Sequence, residues 1–198
     1  MRITEIKQEK KGKLLIRTDE MVFPLYEKEV AAWHLTEGNE LDAETWDRLC
    51  REVLQKRVIR RAMFLLEKMD RTEYQLRKKL RDNHYPEELV DVAVDYVKSY
   101  HYIDDLRYAE NYIRFHQSDK SRLQLKAALQ QRGVPADLAE QAMEEAYEDH
   151  EEEMIRKLLL RKQYDPEHMD REQKCRIYRY LLRKGFSNSQ IMRQMDLT

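Results

Sequence analysis

The chain changes its hydrophobic rhythm once, near residue 42. Before that point ITEIKQE and LLIRTDEMVFPL contain short alternating apolar and polar stretches, separated by Lys11-Gly12. Alternation of period two marks a half-buried strand, so a small β-hairpin or three short strands are expected there. A helical piece around Glu27–Leu35 follows, then a break at Thr36-Glu37-Gly38-Asn39. From Asp42 onward the apolar residues recur at helical spacing almost throughout. Asp42 suits an N-cap, because its carboxylate accepts a backbone N–H that would otherwise lack a partner. LDAETWDRLCREVLQ then places Leu41, Trp46, Leu49, Val53 and Leu54 near one face. Only Gly133 and Gly185 occur after Gly38, so few breakers interrupt the helices.

Within the helical part the pattern repeats. Thr72-x-x-Gln75 and Ser121-x-x-Gln124 read as capping boxes 49 residues apart, each followed at the same spacing by two leucines and a proline. These are Leu76, Leu80 and Pro86, then Leu125, Leu129 and Pro135. In a capping box the hydroxyl takes the third amide and the glutamine reaches back to the cap's own amide. Beyond the prolines, Leu89, Val90, Ala93, Val94 and Val97 correspond to Leu138, Ala139, Ala142, Met143 and Ala146, one apolar stripe on a helix. Proline suits a first helical turn, where its missing N–H has no acceptor anyway. Gly133 and Gly185 stand where a helix end turns left-handed. His84, beside Asn83, occupies that place in the first unit.

A third unit places Ile177, Leu181 and Ser187 a further 52 residues on. Serine replaces proline there, though Ser187-x-x-Gln190 is itself a capping box, and Gln190 and Gln194 replace stripe residues. A terminal repeat, with one face lacking a neighbour, should depart in this way. Each unit also has a preceding helix, at about Val58–Met69, Asp104–Gln117 and Glu151–Tyr164, with Asp104 or Asp105 as a cap for the second. The expected fold is mainly α, an elongated, curved array of three tandem three-helix repeats preceded by a small β-containing N-terminal segment. The boundaries run 1–41 for a β-hairpin extension and linker, 42–57 for a connecting helix, and 58–103, 104–150 and 151–198 for the repeats.

Composition agrees with thin modules. Charged residues make up 38% of the 198 positions, and the 41% hydrophobic share includes twelve tyrosines, whereas globular domains carry roughly 25% charge. Net charge is only -1, yet the charges are segregated. Residues 137–153 hold nine Asp or Glu and no Lys or Arg; residues 174–184 hold five Lys or Arg and no acid. Such blocks are usually solvated faces, but they leave room for a basic stripe on a neutral protein. Cys50 and Cys175 are too few and too far apart for a disulfide framework or a zinc site. No apolar run approaches a membrane span of ~20 residues, and MRITEIKQEKKGK lacks the core of a signal peptide. A cytoplasmic protein is expected.

The search for chemistry finds neither a phosphate loop nor a dinucleotide fingerprint nor a histidine pair at metal spacing. No catalytic, cofactor-binding or metal-ligating residues are assigned. Asp104-Asp105 and Glu151-Glu152-Glu153 read as helix caps and dipole partners. Tyr96, Tyr100, Tyr102, Tyr108 and Tyr112 read as filling of the joint between the first two units, with base stacking as the other use. Three helices with a short turn before the last look like helix-turn-helix packing. The helices after Pro86 and Pro135 are acidic, however, and the basic residues concentrate on the middle helices. A dedicated DNA reader shows the opposite.

RTEYQLRKKL, YPEELVDVAVDYV and YIDDLRYAENYI together resemble the RecX family of recombination regulators. Arg71, Thr72 and Leu76 match one motif, Tyr85-Pro86 a second, and Tyr102, Ile103, Asp104, Asp105, Tyr108 and Ala109 a third, with His101 where glycine is usual. The resemblance runs from about residue 56 to the end. It implies a binding partner, the RecA filament, held in its groove with ATPase, strand exchange and co-protease activity restrained. It also implies weak binding of single- or double-stranded DNA. The signature motifs read as caps and module joints, so the contact candidates are chosen on charge. Lys174, Arg176, Arg179, Arg183 and Lys184 come first, then Arg122, Lys126 and Arg132. A direct DNA-binding regulator acting without RecA is the other reading. Capped end repeats favour a monomer.

Overall fold

The computed structural model describes residues 1–9 and 12–196; Lys11, read in the sequence as part of the break after the first apolar stretch, lies outside them. The chain divides into two compact units, Met1–Asp104 and Asp105–Thr198.

The first unit opens with three antiparallel strands, β1 (Ile3–Gln8), β2 (Lys13–Thr18) and β3 (Val22–Tyr26), in the order β1-β2-β3. Ile6 faces Ile16 across the first pair, and Ile16 faces Phe23 across the second. Pro24, which has no N–H to give, sits on the edge strand β3. Helix α1 (Glu27–Ala32) follows, then α2 (Ala43–Leu49), capped by Asp42, whose Oδ1 accepts the Thr45 amide at 2.6 Å. One wide i→i+5 turn, Cys50–Leu54, joins α2 to α3 (Gln55–Lys68). Leu49 and Leu54 are five residues apart, too many for one face of an ideal α-helix. The wider turn returns Leu54 to the buried side, where both are fully enclosed.

The sheet is not a separate core. Ile3, Ile16, Phe23 and Leu25 belong to the same buried cluster as Leu49, Val58, Leu76 and Val90. Arg57 pins the two parts together. Its Nη1 donates to the Pro24 carbonyl at 3.0 Å, its Nη2 pairs with Glu29, and its guanidinium lies 4.6 Å from the Tyr26 ring centre. The unit ends with α4 (Glu73–Arg81) and α5 (Glu87–Ser99). Thr72 is fully buried and forms the capping box with Gln75, which is worth about 1 kcal/mol.

The second unit holds α6 (Asp105–His116), α7 (Arg122–Gln131) and α8 (Ala136–Ala146), then α9 (Glu151–Arg161), α10 (Arg171–Arg183) and α11 (Asn188–Gln194). Each trio encloses its own small core. Ile113, Leu125, Leu129 and Met143 anchor the first, and Ile155, Leu181, Ile191 and Met195 the second. Small cores bury less apolar surface per residue, so local devices carry more of the stability.

Helix ends are the most regular of these devices. Among the described residues six helices stop in a left-handed residue followed by two backbone bonds that close the last turn. In the turn after α7, the Gly133 amide reaches Gln130 O at 2.9 Å and the Val134 amide reaches Leu129 O at 3.1 Å. The left-handed positions are His34, His84, His101, Gly133, Gln163 and Gly185, with φ of 49, 66, 56, 77, 52 and 90°. His101 therefore adopts the left-handed conformation that glycine favours, at a cost of about 1–2 kcal/mol.

Gly185 has a second reason. A Cβ there would lie 2.7 Å from Ser121 Oγ and 3.0 Å from Leu123 Cβ. Ser121, the buried cap of α7, also donates from Oγ to the Lys184 carbonyl at 2.7 Å. The Arg122 amide donates to buried Glu151 at 2.7 Å. The start of α7 is thus stitched to the third trio from two directions. Glu151 does more than complement a helix dipole.

Candidate interaction surface

Helix α10 is built to show one charged face. Asp170 caps it, accepting the Gln173 amide at 2.7 Å, while Gln173 accepts the Asp170 amide at 3.0 Å. This box stands 49 residues after Ser121, but α10 has thirteen residues where α7 has ten, so Ile177 falls one turn later than the register of the earlier units requires. A repeat alignment anchored on Ile177 and Leu181 passes over it. The signal is Asp170-x-x-Gln173, with aspartate in place of a hydroxyl residue.

Ile177 and Leu181 are buried, with Tyr178 and Tyr180 half-buried beside them. On the opposite side, Arg176, Arg179 and Arg183 recur at i, i+3 and i+7 and are exposed. With Arg171, Glu172 and Cys175 they line a shallow open depression of about 390 Å³. Arg176 meets Glu172 at 3.1 Å, a solvated pair worth about 0.3–0.5 kcal/mol. Arg179 and Arg183 have no ion-pair partner among the described residues. The remaining two candidates turn aside. Lys174 Nζ donates to the Pro166 carbonyl at 2.7 Å, and Lys184 Nζ lies 5.8 Å from the Tyr180 ring centre.

The earlier trios treat their middle-helix cations differently. Arg77 of α4 bonds Glu73 at 2.8 Å and Asp91 of α5 at 2.6 Å, and Arg81 grips Glu87 through two bonds of 2.6 and 2.7 Å. At the repeat position equivalent to Arg77, 49 residues on, Lys126 of α7 pairs with Glu140 of α8, and Arg122 reaches the same carboxylate at 3.6 Å. Arg132 lies 4.4 Å from the Tyr112 ring centre and donates to Ala128 O. The hydrogen bond from Arg81 holds the Glu87 carboxyl below its ordinary range, and that from Lys126 does the same for Glu140. Burial pushes the Glu73 carboxyl up, but hydrogen bonds from Lys98 and Arg77 outweigh it and leave the group lowered.

In the third trio a neutral bond takes this place, from Tyr178 OH to Asn188 Oδ1 at 2.8 Å. Helix α11 contains no acid. Over residues 171–194 seven Lys or Arg face one acid, whereas over 122–146 three face four. The acidic helices evident in the sequence are therefore partners for the basic ones, and only the last trio lacks the partner.

The structure separates the remaining candidates. Thr72, Gln75, Ser121, Gln124, Pro86, Pro135 and Gly133 serve caps and turns. Asp104 immediately precedes α6 and Asp105 is its first residue. Tyr108 stacks on Tyr112 with centroids 6.5 Å apart, and both pack on the core of their trio. Tyr96, Tyr100 and Tyr102 lie at the surface of the first unit. They are exposed, with Tyr100 stacked on Tyr102 and tilted against Tyr96, while α5 points its buried stripe, Leu89 to Val97, the other way. A basic line on α3, Lys56 and Arg60, is absent from the candidates chosen on charge; its signal is cations four apart on a helix whose apolar residues face inward.

Among the described residues no cluster of His, Cys, Asp or Glu is arranged to hold a metal ion. No described helix is long and apolar enough to cross a membrane.

Three family models match the chain: "RecX, first three-helix domain" over residues 59–96, "RecX, second three-helix domain" over 104–143 and "RecX, third three-helix domain" over 150–195. The regulatory protein RecX of Caldanaerobacter subterraneus subsp. tengcongensis is 29% identical over 200 residues, covering 98% of this chain and 97% of that one. That of Clostridium acetobutylicum is 26% identical over 136 residues, 66% of this chain and 64% of the relative. A crystal structure of regulatory protein RecX superposes with a TM-score of 0.67 at 25% identity, covering 100% of this chain and 99% of that one. RecX from Lactobacillus salivarius shares the fold, with a TM-score of 0.60 at 24% identity over 73% of this chain and 98% of the other.

Proposed function

Because this chain belongs to the RecX family of regulatory proteins, we propose that it modulates the RecA recombinase, as an inhibitor bound in the groove of the RecA–DNA filament. It restrains ATP hydrolysis, strand exchange and co-protease activity, works in the cytoplasm as a monomer and catalyses nothing itself. The observation that carries the choice of surface is the uncovered basic face of α10, where Arg179 and Arg183 have no acid opposite. Such a face suits either the phosphates of filament-bound DNA or an acidic patch on the recombinase. The stitched and clasped cations of the second trio, Arg122, Lys126 and Arg132, are already engaged within the chain and take the lesser part.

The test is RecA's ATP hydrolysis on single-stranded DNA while this protein is titrated up to stoichiometric amounts. A fall at substoichiometric ratios supports action on the filament. An unchanged rate, with RecA from the same source, contradicts inhibition. Tight, salt-sensitive binding to duplex DNA alone would then favour a direct DNA-binding regulator.

A further inference from the structure

Away from α10, the first unit carries a surface that mixes cations with bare aromatic faces. Helix α3 holds five Lys or Arg against one acid. Arg57 and Arg61 are engaged, with Glu29 and with Asn83 at 2.8 Å. Lys56 and Arg60 point outward on a line with Phe64, each four residues from the next and about 6 Å further along the axis. Phe64 is 46% exposed. Tyr102, also 46% exposed, lines an open groove of about 520 Å³ together with Arg60, Met63 and Phe64. From Tyr102 the aromatic surface continues. Tyr100, 57% exposed, stacks on it with centroids 6.0 Å apart, and Tyr96 follows at 4.9 Å.

Four large aromatic side chains held at the surface expose apolar area that a monomeric protein normally hides. Their setting decides what covers them. Arg61 and Lys68 lie 5.5 and 5.4 Å from the Phe64 ring centre, so with Arg60 three cations border the ring, against one acid, Glu67, in the groove. An apolar peptide would leave Lys56 and Arg60 unmatched. A polyanion that carries flat apolar rings matches both halves at once. That description fits single-stranded nucleic acid, whose bases stack on aromatic rings while its phosphates meet Lys and Arg. Duplex, with its bases already stacked, offers only the phosphates.

We infer that the track Lys56–Arg60–Phe64–Tyr102–Tyr100–Tyr96 is a base-stacking site for single-stranded nucleic acid. Lys56 and Arg60 contact phosphates, and Phe64 and Tyr102 receive bases. The site is independent of the RecA reading, since it requires no recombinase and does not involve α10. His101, held at φ 56°, makes the turn that ends α5 and brings Tyr102 to the groove. The Tyr102 amide bonds Val97 O at 2.9 Å in that turn.

The experiment is fluorescence anisotropy of a labelled twenty-nucleotide dT strand, with a U strand and a duplex of the same length as comparators, in the absence of RecA. The full chain should prefer either single strand to duplex. Phe64→Ala with Tyr102→Ala should weaken single-strand binding by roughly tenfold or more, with duplex binding almost unchanged. Lys56→Glu with Arg60→Glu should instead flatten the salt dependence, by about 0.7 in the log–log slope for each phosphate no longer neutralised. Tryptophan emission from Trp33 and Trp46 reports whether each variant is folded. A stronger response to dT or to U distinguishes DNA from RNA. Equal binding by the folded double-alanine variant and the unaltered chain overturns the inference, as does the absence of single-strand binding at low salt. Unchanged oligonucleotide binding alongside an abolished effect on RecA would assign the track to a protein partner and overturn it too.

Discussion

The second and third trios have the same helix order, the same turn into a left-handed glycine and the same style of capping, yet their middle helices meet opposite electrostatic surroundings. In the second, Arg122 and Lys126 face Glu140 across a helix pair. In the third, Arg176, Arg179 and Arg183 look out over a helix with no acid, and Tyr178–Asn188 does the pinning. Charges that close a helix pair serve structure; charges left open are available to a partner. The difference shows how a repeat can keep its fold while changing its surface. Apolar stripes and caps preserve the packing, and the few residues between the helices decide what solvent sees.

The largest effect should come from breaking the stitch that unites these two trios. Gly185→Ala combines a left-handed backbone with a Cβ driven against Ser121 Oγ and Leu123. Left-handed strain of about 1–2 kcal/mol and overpacking of about 1–3 kcal/mol should together lower the melting temperature by roughly 4–20 °C. Calorimetry measures it. A shift under about 1 °C would mean that the contact between Ser121 and the 184–185 turn does not hold in solution.

Acid sharpens the comparison next. The folded-state carboxyls of Glu87 and Glu140 titrate below the ordinary 4.5. Their clasps therefore contribute fully above pH 4.5 and are lost as the pH falls through the depressed values. Amide exchange, corrected for its intrinsic pH dependence, should show the α4–α5 and α7–α8 pairs losing protection between about pH 5 and 3. The α10–α11 pair, joined by a neutral bond, should lose less. Equal loss in all three pairs would remove the electrostatic distinction.

The smallest effect concerns the turn that sets the first trio apart. His84 occupies, at φ 66°, the position held by Gly133 and Gly185 in the other two. His84→Gly should raise stability by up to about 1 kcal/mol, because relief of left-handed strain exceeds the entropy that glycine adds to the unfolded chain. Urea unfolding with an unchanged slope and a higher midpoint is the expected result. A lower midpoint would show that the His84 side chain, 3.9 Å from Glu9, contributes more than its backbone costs.

Much of this architecture is legible from residue order because capping boxes, prolines and apolar stripes are local. Thr72–Gln75 and Ser121–Gln124 name their own partners three residues away. The three strands and the cap at Asp42 are readable for the same reason. What escapes depends on contacts between distant residues. Nothing near Ser121 in sequence announces Lys184, and the sheet's shared core with α3 and α5 follows from tertiary packing alone. The candidate surface is half legible. The basic block 174–184 stands out, but burial and helix rotation separate Arg176, Arg179 and Arg183 from Lys174 and Lys184. Tyr96, Tyr100 and Tyr102 are not legible as surface residues of the first unit, because that follows from the orientation of α5 and not from local sequence.

The central claim is that the open cations of α10, rather than the clasped cations of α7, engage the recombinase filament. The most direct measurement compares two triple charge reversals in the RecA ATPase assay on single-stranded DNA. Arg176→Glu, Arg179→Glu, Arg183→Glu should raise the half-inhibitory concentration at least tenfold with little change in melting temperature, since exposed charges contribute little to folding. Arg122→Glu, Lys126→Glu, Arg132→Glu should melt earlier yet still inhibit at temperatures where it is folded. Full inhibition by the α10 variant, or its loss only in the α7 variant, would contradict the account.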